Sequence, residues 1–163
     1  MPATFRGGGR GQTFDAFKTA VKTRKPNELP LLLVDSEEAV ITAQTVWQIL
    51  HQRDGWEQPV GAGNEDAFLM ICCMETWFVA DRKALARYFG QHWRDNALPQ
   101  WPQLEEVPKE RMFEALDKAT ADCGRKRYAK GKRSFELLGV IEPAEVEKNC
   151  PAAGRLLERL RAV

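Results

Sequence analysis

Two uninterrupted apolar runs constrain this chain more than any other feature. Leu29 to Val34 reads Leu-Pro-Leu-Leu-Leu-Val and is closed by Asp35-Ser36. A strand with one wet face alternates polar and apolar residues. A run without alternation points to a strand covered on both faces, as in a parallel sheet. Ala67 to Cys73 (Ala-Phe-Leu-Met-Ile-Cys-Cys) is a second run of this kind and a second expected central strand.

The segments between and after the runs read mainly as helices. Phe14, Phe17 and Val21 recur at helical spacing over Thr13 to Lys22, with a cap near Gln12 or Thr13 and Pro26 beyond the end. Thr42 to Gln52 carries Val46, Trp47, Ile49 and Leu50 on one side, and Gly55 to Asn64 is a loop. Asp81 opens a helix through Tyr88 that Gly90 stops, and a loop with Pro99, Trp101, Pro102 and Pro108 follows. Further helices are expected over Arg111 to Ala121, Ser134 to Val140, Pro143 to Lys148 and Pro151 to Arg161, the last with Leu156, Leu157 and Leu160 inward. With Ala3 to Arg6 as a short first strand, this is an α/β layer fold. It has a small, mainly parallel sheet of about three strands flanked by helices, and a helical C-terminal part. No repeat, linker or change of composition divides it, so residues 1–163 read as one domain. A sheet this small implies that the chain is incomplete or forms a homodimer.

Composition closes several routes. The chain is 44% hydrophobic and 29% charged, which is ordinary for a globular protein and excludes wholesale disorder. Its 24 basic and 23 acidic residues nearly cancel, so any nucleic-acid contact must come from a local patch. No apolar run reaches the roughly 20 residues that span a bilayer. Met1 to Gln12 lacks the apolar core of a signal peptide, so a cytoplasmic protein with no membrane partner is expected. Cys72, Cys73, Cys123 and Cys150 form no Cys-x-x-Cys pair and read as buried free thiols. His51 and His92 lack ligand spacing. No serine-hydrolase elbow, zinc-protease motif, Walker loop or dinucleotide fingerprint is present.

Functional groups of open parallel sheets gather at the carboxyl ends of strands. Asp35, Glu37 and Glu38 occupy that position after the first run. An Asp-x-Glu pair there can aim two carboxylates at a hard cation, and magnesium takes one or two carboxylates plus waters and phosphate oxygens. The competing reading is helix capping by Asp35 or Ser36, with the glutamates favoured by the helix dipole. Glu75 and Asp81 follow the second run; Glu75 could face the same sheet edge, whereas Asp81 reads better as a cap. Six basic residues, Arg125, Lys126, Arg127, Lys130, Lys132 and Arg133, surround Tyr128 and Gly131. Such a run can neutralise phosphates or can be a solvated loop. Gly7 to Gly11, flanked by Arg6 and Arg10, could cradle a phosphate on backbone amides.

Taken in order, four stretches resemble a bacterial family, domain of unknown function family 4276. They are the Gly-Gly-Arg with Phe14 and Phe17, Leu32 to Glu37, Met74 to Asp81, and Lys130 to Leu138. The family's pattern is similar to Toprim-type domains, the Rossmann-like metal-binding modules of topoisomerases, primases and some nucleases. The resemblance implies a Toprim-like α/β domain using magnesium or manganese, with Asp35 and Glu37 as catalytic ligands and Glu38 and Glu75 as further metal ligands. It also implies nucleic acid on Arg10, Arg125, Lys126, Arg127, Lys130, Lys132 and Arg133. Toprim domains carry a glutamate after their first strand, and this chain has no acidic residue before Asp15. The expectation is therefore either a truncated start, or a domain in which Glu75 or Glu38 substitutes. The function implied is a magnesium-dependent nuclease, or a nuclease-derived component of a defence or mobile-element system, with an ATPase partner. The alternative is a non-catalytic protein-interaction module paired with that ATPase.

Overall fold

The computed structural model describes residue 4, residues 8–40 and residues 43–162. Among them the chain forms two strands, β1 (Leu32–Asp35) and β2 (Ala67–Met70), paired as a two-stranded parallel sheet. Eight helices accompany them: α1 (Arg10–Thr23), α2 (Val46–Asp54), α3 (Glu75–Ala80), α4 (Arg82–Phe89), α5 (Lys109–Ala119), α6 (Lys132–Leu138), α7 (Pro143–Asn149) and α8 (Pro151–Arg161). The mixed α/β class stands, with helix dominating. The sheet has two strands where about three were expected; the segment Ala3 to Arg6 lies, apart from Thr4, outside the described residues. No helix among these residues is long and apolar enough to cross a membrane.

The chain divides into two compact units. One is built from the described residues of Met1–Val34 and Ile41–Leu69, the other from Asp35–Val40 and Met70–Val163. The first is held by aromatic packing. Phe14, Phe17 and Val21 are buried on α1, as their spacing requires. Phe14 stacks on Trp56 with ring centroids 4.2 Å apart, and Phe17 leans on Trp47 at 5.9 Å. Trp47 is buried on α2, and its indole N–H donates to the Gly63 carbonyl at 2.9 Å. α2 starts at Thr45, whose hydroxyl accepts the Gln48 N–H while the Gln48 side chain accepts the Thr45 N–H. It stops at Gly55, which takes φ 68°, a left-handed turn that glycine enters without strain.

α3 is the hub of the second unit and packs against α4, α5, α6 and α7, while α7 packs on α8. Phe78, Leu85, Met112, Leu116 and Leu137 are fully buried there. Asp81 caps α4 through the Ala84 N–H at 2.9 Å, and its second oxygen accepts the Glu142 N–H at 3.0 Å where α7 begins.

Several boundaries differ from expectation for local reasons. β2 stops at Met70, not Cys73, because Cys72 takes φ 62° and the chain turns away. α1 starts at Arg10, with the Thr13 N–H already bonded to the Gly9 carbonyl at 2.9 Å. α6 begins at Lys132, because Gly131 at φ 115° redirects the backbone immediately before it. On α8 the buried face is Ala152, Ala153 and Leu156; Leu160 was expected inward but is 37% exposed.

Candidate functional site

β1 ends on Asp35, and the next residue holds the turn that follows. The Ser36 N–H donates to the Met70 carbonyl at 2.8 Å, carrying the strand pairing one residue further. The Ser36 hydroxyl accepts the Cys72 N–H at 2.8 Å and donates to the Glu38 carbonyl at 2.5 Å. This buried cross-tie satisfies backbone groups that two sharp turns would otherwise orphan. Glu37 and Cys72, both non-glycine, take left-handed φ of 68° and 62°. Such conformations store strain and persist only where the surroundings over-determine them. The turn places the Glu37 carboxylate 2.8 Å from the Lys109 ammonium at the start of α5, both side chains about one-third exposed. The edge thus carries Asp35, Glu37 and Lys109 around one exit from a parallel strand. Lys109 lies 72 residues from Glu37, and nothing in the sequence links them. Glu38 is exposed.

Cys72 sits beneath this edge. Burial, with Glu105, Glu110 and Glu38 nearby, pushes its thiol up to about 11. Burial and Glu75 push Cys73 to about 12, and burial with Glu105 takes Cys150 to about 12. All four cysteines are free, and the three buried ones are protonated at neutral pH. Thiols raised in this way are poor nucleophiles at neutral pH.

Glu75 belongs to a different cluster. It is 1% exposed at the start of α3 and accepts the Tyr128 phenol. Burial and that bond push the Tyr128 hydroxyl above the usual phenol range. Ser134 is 3.1 Å from the same phenolic oxygen. Magnesium's preferred donors, one or two carboxylates completed by water and phosphate, are matched in type by Asp35 and Glu37. The larger set with Glu38 and Glu75 does not gather: among the described residues no three His, Cys, Asp or Glu side chains are grouped to hold a metal ion.

The basic residues are distributed unevenly. Arg10 donates twice to Asp54, at 2.9 and 2.7 Å, and lies over the Trp56 ring, so it is engaged inside the first unit. The Arg10 bond is the leading reason the Asp54 carboxyl is held below its ordinary value. In the second unit Arg127 grips Asp117 with two bonds of 2.7 and 2.6 Å, and Arg133 donates to the Arg127 carbonyl. Arg125 is exposed; Lys126 and Lys130 lie over the rings of Tyr88 and Phe113. Lys132 opens α6, and its side chain lies outside the described residues. Gly8 and Gly9 precede α1, while Gly11 lies within it.

Residues 9–161 match the family described as Domain of unknown function (DUF4276). The chain belongs to this family. The DUF4276 match spans both strands and all eight described helices, so Asp35, Glu37, Glu75, Lys109 and the basic segment all fall within it. No curated protein and no solved structure matches the DUF4276 chain.

Proposed function

We propose that this chain is a Toprim-like, nuclease-derived domain that handles phosphodiesters, with Asp35 and Glu37 as its metal-binding edge and the Arg125–Arg133 segment as its nucleic-acid contact. The observation that carries the reading is the strained exit from β1. Ser36 cross-ties the two turns, and Glu37 is held in a left-handed conformation with its carboxylate at a strand's carboxyl end. A fold that needed only a helix cap would have no use for this strain, and a fully engaged cap is available elsewhere in Asp81. Asp35 and Glu37 would hold magnesium or manganese, which would polarise a phosphate and lower the pKa of a bound water. Lys109, paired with Glu37 at 2.8 Å, offsets the carboxylate's charge at the edge where a phosphate would arrive. A phosphodiester substrate and an ATPase partner in a defence or mobile-element setting follow from the same reading.

A second reading, a non-catalytic interaction module paired with an ATPase, draws on two of the four expected ligands. Glu37 has an internal partner in Lys109, and Glu75 has one in Tyr128. The deciding experiment is calorimetric titration of wild type and Asp35→Ala with magnesium and manganese, alongside cleavage of labelled DNA. Metal binding and cutting in wild type, both lost in Asp35→Ala, are the expected results. Cutting that survives in Asp35→Ala removes the metal assignment. Absence of metal binding in both proteins favours the interaction module, and affinity capture with the candidate ATPase then becomes the test.

A further inference from the structure

The segment that carries the basic residues is fastened by one buried aromatic. Arg125, Lys126, Arg127 and Lys130 are exposed, yet Tyr128 in their midst is only 8% exposed. Its backbone N–H donates to the buried Thr120 hydroxyl at 2.9 Å, and that hydroxyl donates to the Leu116 carbonyl at 2.8 Å on α5. Its phenol donates to Glu75 on α3, and its ring meets Phe78 edge-on. A phenol has a single proton, and Glu75 receives it. Ser134 therefore donates its own proton to the phenolic oxygen and accepts the Gly131 N–H at 3.3 Å. The relay runs Gly131 to Ser134 to Tyr128 to Glu75, and every member points the same way.

This arrangement is costly to build. A carboxylate with 1% exposure is tolerated only when its hydrogen bonds are made. Gly131 must also take φ 115°, a conformation open in practice to glycine alone. Both ends of the segment, Thr120 before it and Gly131 within it, are thereby fixed against helices α3 and α5. The charges it presents fall into two groups. Arg127 is committed to Asp117, and Arg133 to a backbone carbonyl. Arg125, Lys126 and Lys130 have no ion-pair partner among the described residues, and the two lysines rest on aromatic faces that leave their charge intact.

We infer that the Glu75–Tyr128–Ser134 relay is a positioning device that holds Arg125, Lys126 and Lys130 as a contact surface for the phosphate backbone of DNA. The inference rests on the nucleic-acid reading proposed above and assigns Glu75 to backbone positioning in place of the metal.

The test is fluorescence anisotropy with a labelled DNA duplex over a salt series, using the full chain. Wild type should bind with a steep salt dependence. Lys126→Gln and Lys130→Gln should each reduce the slope of log affinity against log salt by about 0.9, one phosphate contact apiece. Tyr128→Phe keeps the ring and removes only the hydroxyl; it should weaken binding about tenfold and lower the slope by more than either lysine variant. Ser134→Ala, which breaks the relay nearer its surface end, should act in the same direction and serves if Tyr128→Phe does not fold. Trypsin should cut between residues 125 and 130 faster in Tyr128→Phe and Ser134→Ala than in wild type. Binding in wild type with an unchanged slope in Tyr128→Phe and Ser134→Ala overturns the relay alone. Absence of binding in wild type at low salt overturns the nucleic-acid reading, and the inference with it.

Discussion

Glu37 and Cys72 hold backbone conformations that side chains disfavour, at about 1–2 kcal/mol each. Ser36 makes both tolerable, because its hydroxyl serves the Cys72 N–H and the Glu38 carbonyl together. The strain at Glu37 predicts an ordering. Glu37→Gly and Glu37→Gln both lose the charge that pairs with Lys109, a partly exposed bridge worth under about 1 kcal/mol. Glycine also relieves the left-handed φ, so Glu37→Gly should be the more stable of the two by about 1 kcal/mol in urea unfolding. Equal stabilities would show that the turn is unstrained. Ser36→Ala should instead lose about 1–3 kcal/mol, because it orphans a buried N–H. If the edge is a metal site, Glu37→Gly couples a stable fold to lost magnesium binding, a separation that a merely structural residue would not give.

Among the elements, Asp81 shows how one side chain can organise two helices. Its carboxylate caps α4 and receives the first free N–H at the approach to α7, with only 3% exposure. An ordinary cap is worth about 1 kcal/mol, and a second buried donor left unmet adds about 1–3 kcal/mol. Asp81→Ala should therefore cost about 2–4 kcal/mol in chemical denaturation. Thr45→Ala, which removes an exposed cap on α2, should cost about 1 kcal/mol. Comparable losses in the two would mean that the Glu142 bond contributes nothing. Asp81 as a cap was legible because an acidic residue stood directly before a helical pattern. The two apolar runs gave both strands, and Phe14, Phe17 and Val21 gave the buried face of α1, since periodicity is local. What sequence reading could not reach was pairing across distance. Lys109 and Glu37 lie 72 residues apart, and Tyr128 and Glu75 lie 53 apart. A tyrosine alone among arginines and lysines, and a glutamate directly after an apolar run, were the available signs of the second pair. Read from sequence, Tyr128 belongs to the basic run and Glu75 to the sheet edge, whereas their shared burial is the link between them.

At the scale of the molecule, acid acts on paired carboxyls in both compact units, whereas alkali acts through thiols that all lie in the second. In the first, Arg10 holds the Asp54 carboxyl below its ordinary value, so this pair adds stability at neutral pH that is lost as pH falls through the native value. In the second lie all four thiols, each driven upward by burial, Cys72 to about 11 and Cys73 and Cys150 to about 12. An unfolded thiol gives up its proton near 9.0, whereas the folded Cys150 keeps its proton to about 12. Between those values the unfolded state binds fewer protons than the native one, so stability must fall as pH rises. The decline from one such group approaches about 1.4 kcal/mol per pH unit at its steepest. Urea unfolding at pH 8, 9.5 and 10.5 should therefore show a progressive loss. Cys150→Ala should reduce the steepness of that loss, whatever its effect on stability at pH 8. It is the difference between pH values that isolates titration from packing, because the cavity left by the missing sulfur weighs equally at every pH. If the pH dependence of Cys150→Ala matches that of wild type, Cys150 does not titrate differently in the folded and unfolded states. The alkaline loss would then belong to the other three thiols and to Tyr128, whose phenol is raised by the same burial that anchors the basic segment.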